Sequence, residues 1–257
     1  MDVLTVERVA DHVALVTMRR PETRNAVDVA MAEAMDRTVK RIEADPDIWI
    51  VVLTGEGTQA FSAGADLKEV AAGRLDDLYT VDGQFAGFVK HPRQKLWIAA
   101  VEGYALAGGC EIALACDMIV ASDSAIFSLP EVKRGLVAGA GGIYRLARTL
   151  PRNIAIEMVA TGGRLPAERA CHLGMVNRLV RDGEAVAEAV LLAGEITANA
   201  PLAVRESVAV TRQALDLDDD TLFELGLEAQ RRMMRTDDFQ EGPRAFLEKR
   251  PPNWQGR

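Results

Sequence analysis

The stretch Val101–Leu114, Val-Glu-Gly-Tyr-Ala-Leu-Ala-Gly-Gly-Cys-Glu-Ile-Ala-Leu, limits what this chain can fold into more than any other. The apolar run Ile98–Val101 reads as a strand and leads into small residues, a glycine pair, a carboxylate and an apolar helical turn. Glycine lets backbone approach a ligand where a side chain would block it. A helix beginning just after Gly108 leaves its first N–H groups unpaired at its positive end. Glu111 then stands one turn in. A carboxylate there can handle a proton while the free donors hold a negative oxygen. The alternative is a tight strand-to-helix turn with Glu111 in solvent, and this stretch alone leaves both open.

The rest of the chain supplies strands and helices in alternation. Val3–Val9 and His12–Arg19 alternate apolar and polar residues around Ala10-Asp11, the pattern of a hairpin. Asp28 to Ala44 carries apolar residues at helical spacing and stops at Asp45-Pro46. Ile48–Thr54 is a continuous apolar strand of the buried kind. In Phe61-Ser-Ala-Gly-Ala-Asp-Leu-Lys-Glu69, Asp66 has the position of an N-cap with Glu69 three residues on. The turn before it presents Gly64 and Ala65 near a second helix start. Ala71 to Asp82 is irregular and charged and is expected to be mobile, and Gly83–His91 has a helical pattern with Phe85 and Phe88 on one side. Leu96–Val101 and Asp117–Ala121 read as strands, and Ile126–Leu129 is a short apolar segment before Pro130-Glu131. A second glycine-rich run, Gly135–Gly142, feeds a helix over Ile143–Leu150. Beyond Pro151 the pattern is helical at 152–160, 166–172, 184–199, 202–215 and 219–234, with one strand at Met175–Val180.

A net charge of −8 offers no general attraction to nucleic acid or an acidic membrane. No apolar run reaches the roughly 20 residues of a spanning helix, and the N-terminus lacks the basic start and apolar middle of a signal peptide. Cys110, Cys116 and Cys171 are odd in number and lie in apolar segments, so they read as reduced thiols of a cytoplasmic protein. His12, His91 and His172 have no metal-ligand spacing, and no metal site is expected.

Four motifs taken together, Phe61-Ser-Ala-Gly-Ala-Asp-Leu, Gly103–Glu111, Leu129-Pro-Glu131 and Gly139-Ala-Gly-Gly142, resemble the crotonase (enoyl-CoA hydratase/isomerase) family. The resemblance runs over nearly the whole chain, including Met158-Val-Ala-Thr-Gly and Gly174-Met-Val-Asn-Arg-Leu-Val. It implies an α/β fold with a ββα spiral core over residues 1–200 and a helical trimerisation region over 201–257. It implies an acyl-CoA substrate, with coenzyme A as part of that substrate and no separate cofactor. The enolate oxygen would be held by the backbone N–H groups of Ala65 and Gly108. Glu111 and Glu131 would be the acid–base pair, with Glu111 on the water and Glu131 on the carbon proton, and the Gly139 N–H would help orient that water. Backbone near Ala63 and Leu67 would meet the adenine, with Arg24 and Lys68 near the phosphates or simply solvated. The expected assembly is a homotrimer or a dimer of trimers.

This chain departs from the family pattern at Ala107, Ala138, Leu96 and Glu102, which bears on the outline of the pocket. Its ending, Glu241 to Trp254, is similar to the tails of carnitinyl-CoA dehydratase-like and some steroid-side-chain hydratase-like members. Keeping both glutamates points to addition of water to an enoyl-CoA. A carnitinyl-CoA dehydratase or a double-bond isomerase is the alternative, and a non-catalytic CoA-binding member is the reading from a different class. A hydrolase built on Ser62 or Cys110 would want a histidine beside the nucleophile, and the sequence places none there. No dinucleotide fingerprint follows the first strand.

Overall fold

A computed structural model describes residues 2–257. The chain opens with β1 (Leu4–Ala10) and β2 (Val13–Met18), followed by α1 (Val29–Ala44), β3 (Ile50–Gly55), β4 (Ala60–Ser62) and α2 (Leu67–Ala71). Next come β5 (Tyr79–Thr80), β6 (Gln84–Phe85), β7 (Leu96–Val101), β8 (Tyr104–Leu106), α3 (Gly108–Ala115), β9 (Met118–Ser122) and β10 (Ile126–Ser128). A 3-10 turn over Pro130–Arg134 leads to α4 (Gly142–Thr149), α5 (Arg152–Thr161), β11 (Arg164–Pro166), α6 (Ala167–His172) and β12 (Arg178–Val180). Four helices end the chain: α7 (Ala185–Thr197), α8 (Pro201–Thr211), α9 (Asp219–Met233) and α10 (Asp237–Glu248).

Two sheets are built in alternation. The larger has the order β1-β2-β3-β7-β9-β12, antiparallel only at the β1–β2 hairpin. The smaller has the order β11-β10-β8-β4, with β4, β8 and β10 parallel. The chain steps from the larger sheet to the smaller three times, β3 to β4, β7 to β8 and β9 to β10. That repeat is the ββα spiral. It brings the carboxyl ends of β4, β8 and β10 side by side, the end of a parallel sheet where ligands are usually met.

Local chemistry explains the elements that frame this edge. β3 and β7 are buried at every position, as their unbroken apolar runs require. Helix α1 starts where Asp28 accepts a hydrogen bond from the Met31 N–H at 2.8 Å, and its stripe Met31, Met35, Val39, Ile42 is buried. At its other end the buried Lys95 ammonium donates to the Ile42 and Asp45 carbonyls.

Two expectations differ from the structure. Gly83–His91 is not helical: Gln84, Ala86 and Gly87 have φ of 56°, 59° and 63°, and β6 pairs with β5 instead. Phe85 and Phe88 are nonetheless both buried. Ala71–Asp82 is anchored, since Leu78 is fully buried and Thr80 Oγ1 donates to Asp36 at 2.8 Å. Helix α10, beyond the helical ranges read from the sequence, contains Pro243 and is capped by Thr236 accepting from the Phe239 N–H at 3.2 Å. The chain divides into two compact units, the first ending at Ala193 and the second Gly194–Arg257, somewhat before a boundary at 200.

Candidate active site

The three turns at the shared edge carry the candidate groups. After β4 come Ala63, Gly64 and Ala65; after β8 come Ala107 and Gly108; after β10 come Leu129, Pro130 and Glu131. The turns are tied to one another, since the Ala107 N–H donates to the Ser128 carbonyl at 2.9 Å. Gly64 has φ of 85°, and a Cβ there would lie 2.7 Å from the Gly108 nitrogen, so only glycine lets the first two turns meet.

Both predicted donors are free to bind. Ala65 forms a parallel bridge with Val27 through the Gly64 carbonyl and the Asp66 N–H, so its own N–H faces the opposite way. Gly108 is the first residue of α3, where an N–H has no partner within the helix. Among the described residues neither N–H meets an acceptor. The Phe85 ring covers Gly108 so closely that a Cβ would fall 2.4 Å from Cε1. Tyr79 packs edge-on against Phe85 at 5.6 Å.

Glu111 lies on α3, whose residues are all buried, and is itself only 3% exposed. Its Oε1 accepts from the Gly142 N–H at 2.8 Å, at the start of α4. Burial pushes its pKa up to about 7; the Gly142 hydrogen bond opposes that and the Glu131 charge adds to it. Burial also raises the pKa of Glu131, and its Oε2 is buried with no hydrogen-bond partner. A buried carboxyl oxygen left open beside a second buried carboxyl is a costly arrangement for stability and a useful one for proton transfer.

The remaining predicted residues fall into two groups. Ala63, Leu67, Arg24 and Lys68 surround the β4–α2 turn: the Ala63 N–H donates to the Arg24 carbonyl at 2.9 Å, and Leu67, Arg24 and Lys68 are exposed. Behind them, Arg20 joins the caps of both helices by pairing with Asp66 at 3.0 Å and Asp28 at 3.3 Å. Gly139 stands apart. Its N–H donates to the Val137 carbonyl at 2.7 Å, so in this conformation it is engaged within its own loop, and Gly142 is the backbone donor on Glu111. Ser62 is a strut, its hydroxyl donating to the Asn25 carbonyl at 2.8 Å, and burial pushes the Cys110 thiol well up. No group of three or more His, Cys, Asp or Glu among the described residues could hold a metal ion.

Sequence reasoning missed Phe85, Tyr79, Gly142 and Arg145. Phe85 stands in a stretch whose helical pattern misled, and Tyr79 in an irregular, charged one. Gly142 is one glycine in a run of several, and Arg145 is one of two arginines on a short helix. Arg145 donates to the Ala140 carbonyl at 3.1 Å and to the Val89 carbonyl.

Residues 8–257 match the family model described as enoyl-CoA hydratase/isomerase. A carnitinyl-CoA dehydratase of Salmonella arizonae is 39% identical over 246 residues, covering 94% of each chain. An enoyl-CoA hydratase structure from Mycobacterium tuberculosis superposes with a TM-score of 0.94 at 42% identity, covering 100% of both chains. A carnitinyl-CoA hydratase structure from Mycobacterium avium gives 0.78 at 43% identity, also over 100% of both. With the buried Glu111, the half-buried Glu131 and two free backbone donors at one edge of a ββα spiral, the chain belongs to the enoyl-CoA hydratase/isomerase, or crotonase, family.

Proposed function

We propose that this protein is an enoyl-CoA hydratase, adding water across the 2,3 double bond of an enoyl-CoA thioester to give a 3-hydroxyacyl-CoA. The thioester oxygen accepts hydrogen bonds from the Ala65 and Gly108 N–H groups, which need not reorganise as negative charge develops there. Ionised Glu111 takes a proton from water as its oxygen bonds to C3. Protonated Glu131 gives a proton to C2 as the enolate collapses. The adenine end of CoA lies along Ala63 and Leu67, with Arg24 and Lys68 beside the phosphates. One observation carries the reading: the buried Glu111 carboxyl and the unpartnered, buried Oε2 of the half-buried Glu131 stand on the same sheet edge as two free backbone donors.

The runner-up is dehydration of a carnitinyl-type CoA ester, the activity named for the curated relatives. Product analysis with short, medium, branched, steroid-derived and trimethylammonium-bearing acyl-CoAs separates the two. The hydratase reading expects 3-hydroxyacyl products from simple enoyl-CoAs; turnover of the trimethylammonium ester alone supports the runner-up, and binding without turnover defeats both.

Self-association belongs to the same proposal. Within Gly194–Arg257, Phe223 is 66%, Phe246 83% and Leu247 80% exposed, more apolar surface than a lone chain usually leaves in water. A trimer or dimer of trimers is expected, located in the cytoplasm. A strictly monomeric species by light scattering at micromolar concentration contradicts that assembly.

A further inference from the structure

Arg145 sits one turn into α4, yet its side chain turns back over the start of its own helix. Nη1 donates to the Ala140 carbonyl at 3.1 Å, and Nη2 donates to the Val89 carbonyl in the segment that follows β6. The guanidinium passes so close to the backbone that a Cβ on Gly141 would lie 2.1 Å from Nη1. The loop it grips is the one that holds Glu111, through the Gly142 N–H at 2.8 Å. The segment at its other end directly follows Phe85, whose ring lies on Gly108. One planar fork therefore ties together the backbone that orients the carboxylate and the wall over the proposed oxyanion donor.

We propose that Arg145 is a positioning residue for Glu111, its fork clamping the Ala140 and Val89 carbonyls so that the Gly142 N–H stays aimed at the carboxylate. The proposal rests on the role of Glu111 in the hydratase reading. The cation also has an electrostatic effect, since its charge favours the ionised carboxylate. The other titratable groups that interact with Glu111 are Glu131 on the Pro130–Arg134 turn, the Tyr79 phenol on β5 and the Cys110 thiol on α3, the last two raised by burial. Around Arg145 itself stand Tyr144 and Arg148 of its own helix and Cys116 at the end of α3, a thiol pushed up to about 12. Burial raises the Tyr79 phenol and the Cys110 and Cys116 thiols, away from the neutral range where the carboxyl pair titrates. A shift in the ascending limb of hydration is therefore a report on the carboxyl pair.

The test compares Arg145→Met, Arg145→Lys and Glu111→Gln in the full-length protein, reading kcat, KM and the pH profile of kcat/KM with one good enoyl-CoA. Arg145→Met is expected to lower kcat by about 10- to 100-fold with KM little changed, because the loss is one of orientation at the reacting group. Its ascending limb moves to higher pH, since both the charge and the ordered N–H are lost. Arg145→Lys keeps the charge without the fork, so its limb stays near the wild-type position while kcat falls at least several-fold. A folded Arg145→Met enzyme with wild-type kcat and limb overturns the proposal. If that variant does not fold, Arg145→Lys with wild-type kcat overturns it. Slow Glu111→Gln alongside unaffected Arg145 variants removes the role of Arg145 alone, whereas normal hydration by Glu111→Gln removes the underlying hydratase reading as well.

Discussion

At the scale of single residues, the site is assembled by arrangements that cost stability. Glu111 is the clearest. Its pKa stands at about 7 against an ordinary 4.5, so the folded protein binds that proton more tightly than the unfolded chain does. The group therefore imposes no penalty below the ordinary carboxylate range, and stability falls as pH rises through about 7. Fully ionised, the penalty reaches at most about 3 kcal/mol. Glu111→Gln keeps an oxygen for the Gly142 N–H but cannot ionise. It should unfold at higher denaturant concentration than wild type near pH 8, with the difference shrinking toward pH 4.5, even as it loses activity. Equal pH dependence in the two proteins would mean that Glu111 is solvated. Glu111 was singled out in the sequence by the glycine turn before it, and Glu131 by the family resemblance. Arg145 was not, because its role depends on a fold-back that no spacing encodes.

Elements position those residues through contacts that leave little room. Phe85 lies on Gly108, so a substitution at Gly108 tests crowding as well as donor loss. Proline is tolerated at the first position of a helix but has no N–H. In a Phe85→Ala background, which makes room, Gly108→Ala should keep most of the remaining kcat, while Gly108→Pro should lose at least about 100-fold more. Equal kcat in the two double variants would exclude Gly108 as a donor. The residue before it carries strain: Ala107 has φ of 51° and ψ of −127°, a region disfavoured for any residue with a Cβ. Ala107→Gly should raise stability by about 1 kcal/mol, read as a higher Tm, with activity retained. Strands β3 and β7 and helix α1 were readable because burial imposes their periodicity. The Gly83–His91 stretch was not, because its two buried phenylalanines mimic a helical stripe while left-handed φ values turn the chain three times.

For the molecule as a whole, the function depends on topology. Three passes from the larger sheet to the smaller deliver turns from distant parts of the sequence to one edge. The motifs in those turns could be recognised one by one, but their convergence follows from the parallel pairing of β4, β8 and β10, in which Ser62 stands opposite Ala105 and Ser128 opposite Leu106. What the sequence could not reveal is that the Gly139 N–H turns inward to Val137, leaving Gly142 to hold Glu111. The central claim is that this topology makes Glu111 and Glu131 one catalytic unit, and the most direct measurement is the hydration rate of Glu111→Gln, Glu131→Gln and the double variant. Each single change should slow hydration by roughly 100- to 10,000-fold, and the double change by far less than their product. Exchange of the α-proton with deuterated solvent should be more sensitive to Glu131→Gln than to Glu111→Gln. A Glu111→Gln enzyme that hydrates a good enoyl-CoA normally, beside an inactive Glu131→Gln enzyme, would contradict the paired mechanism and leave a one-carboxylate isomerase-like site in its place.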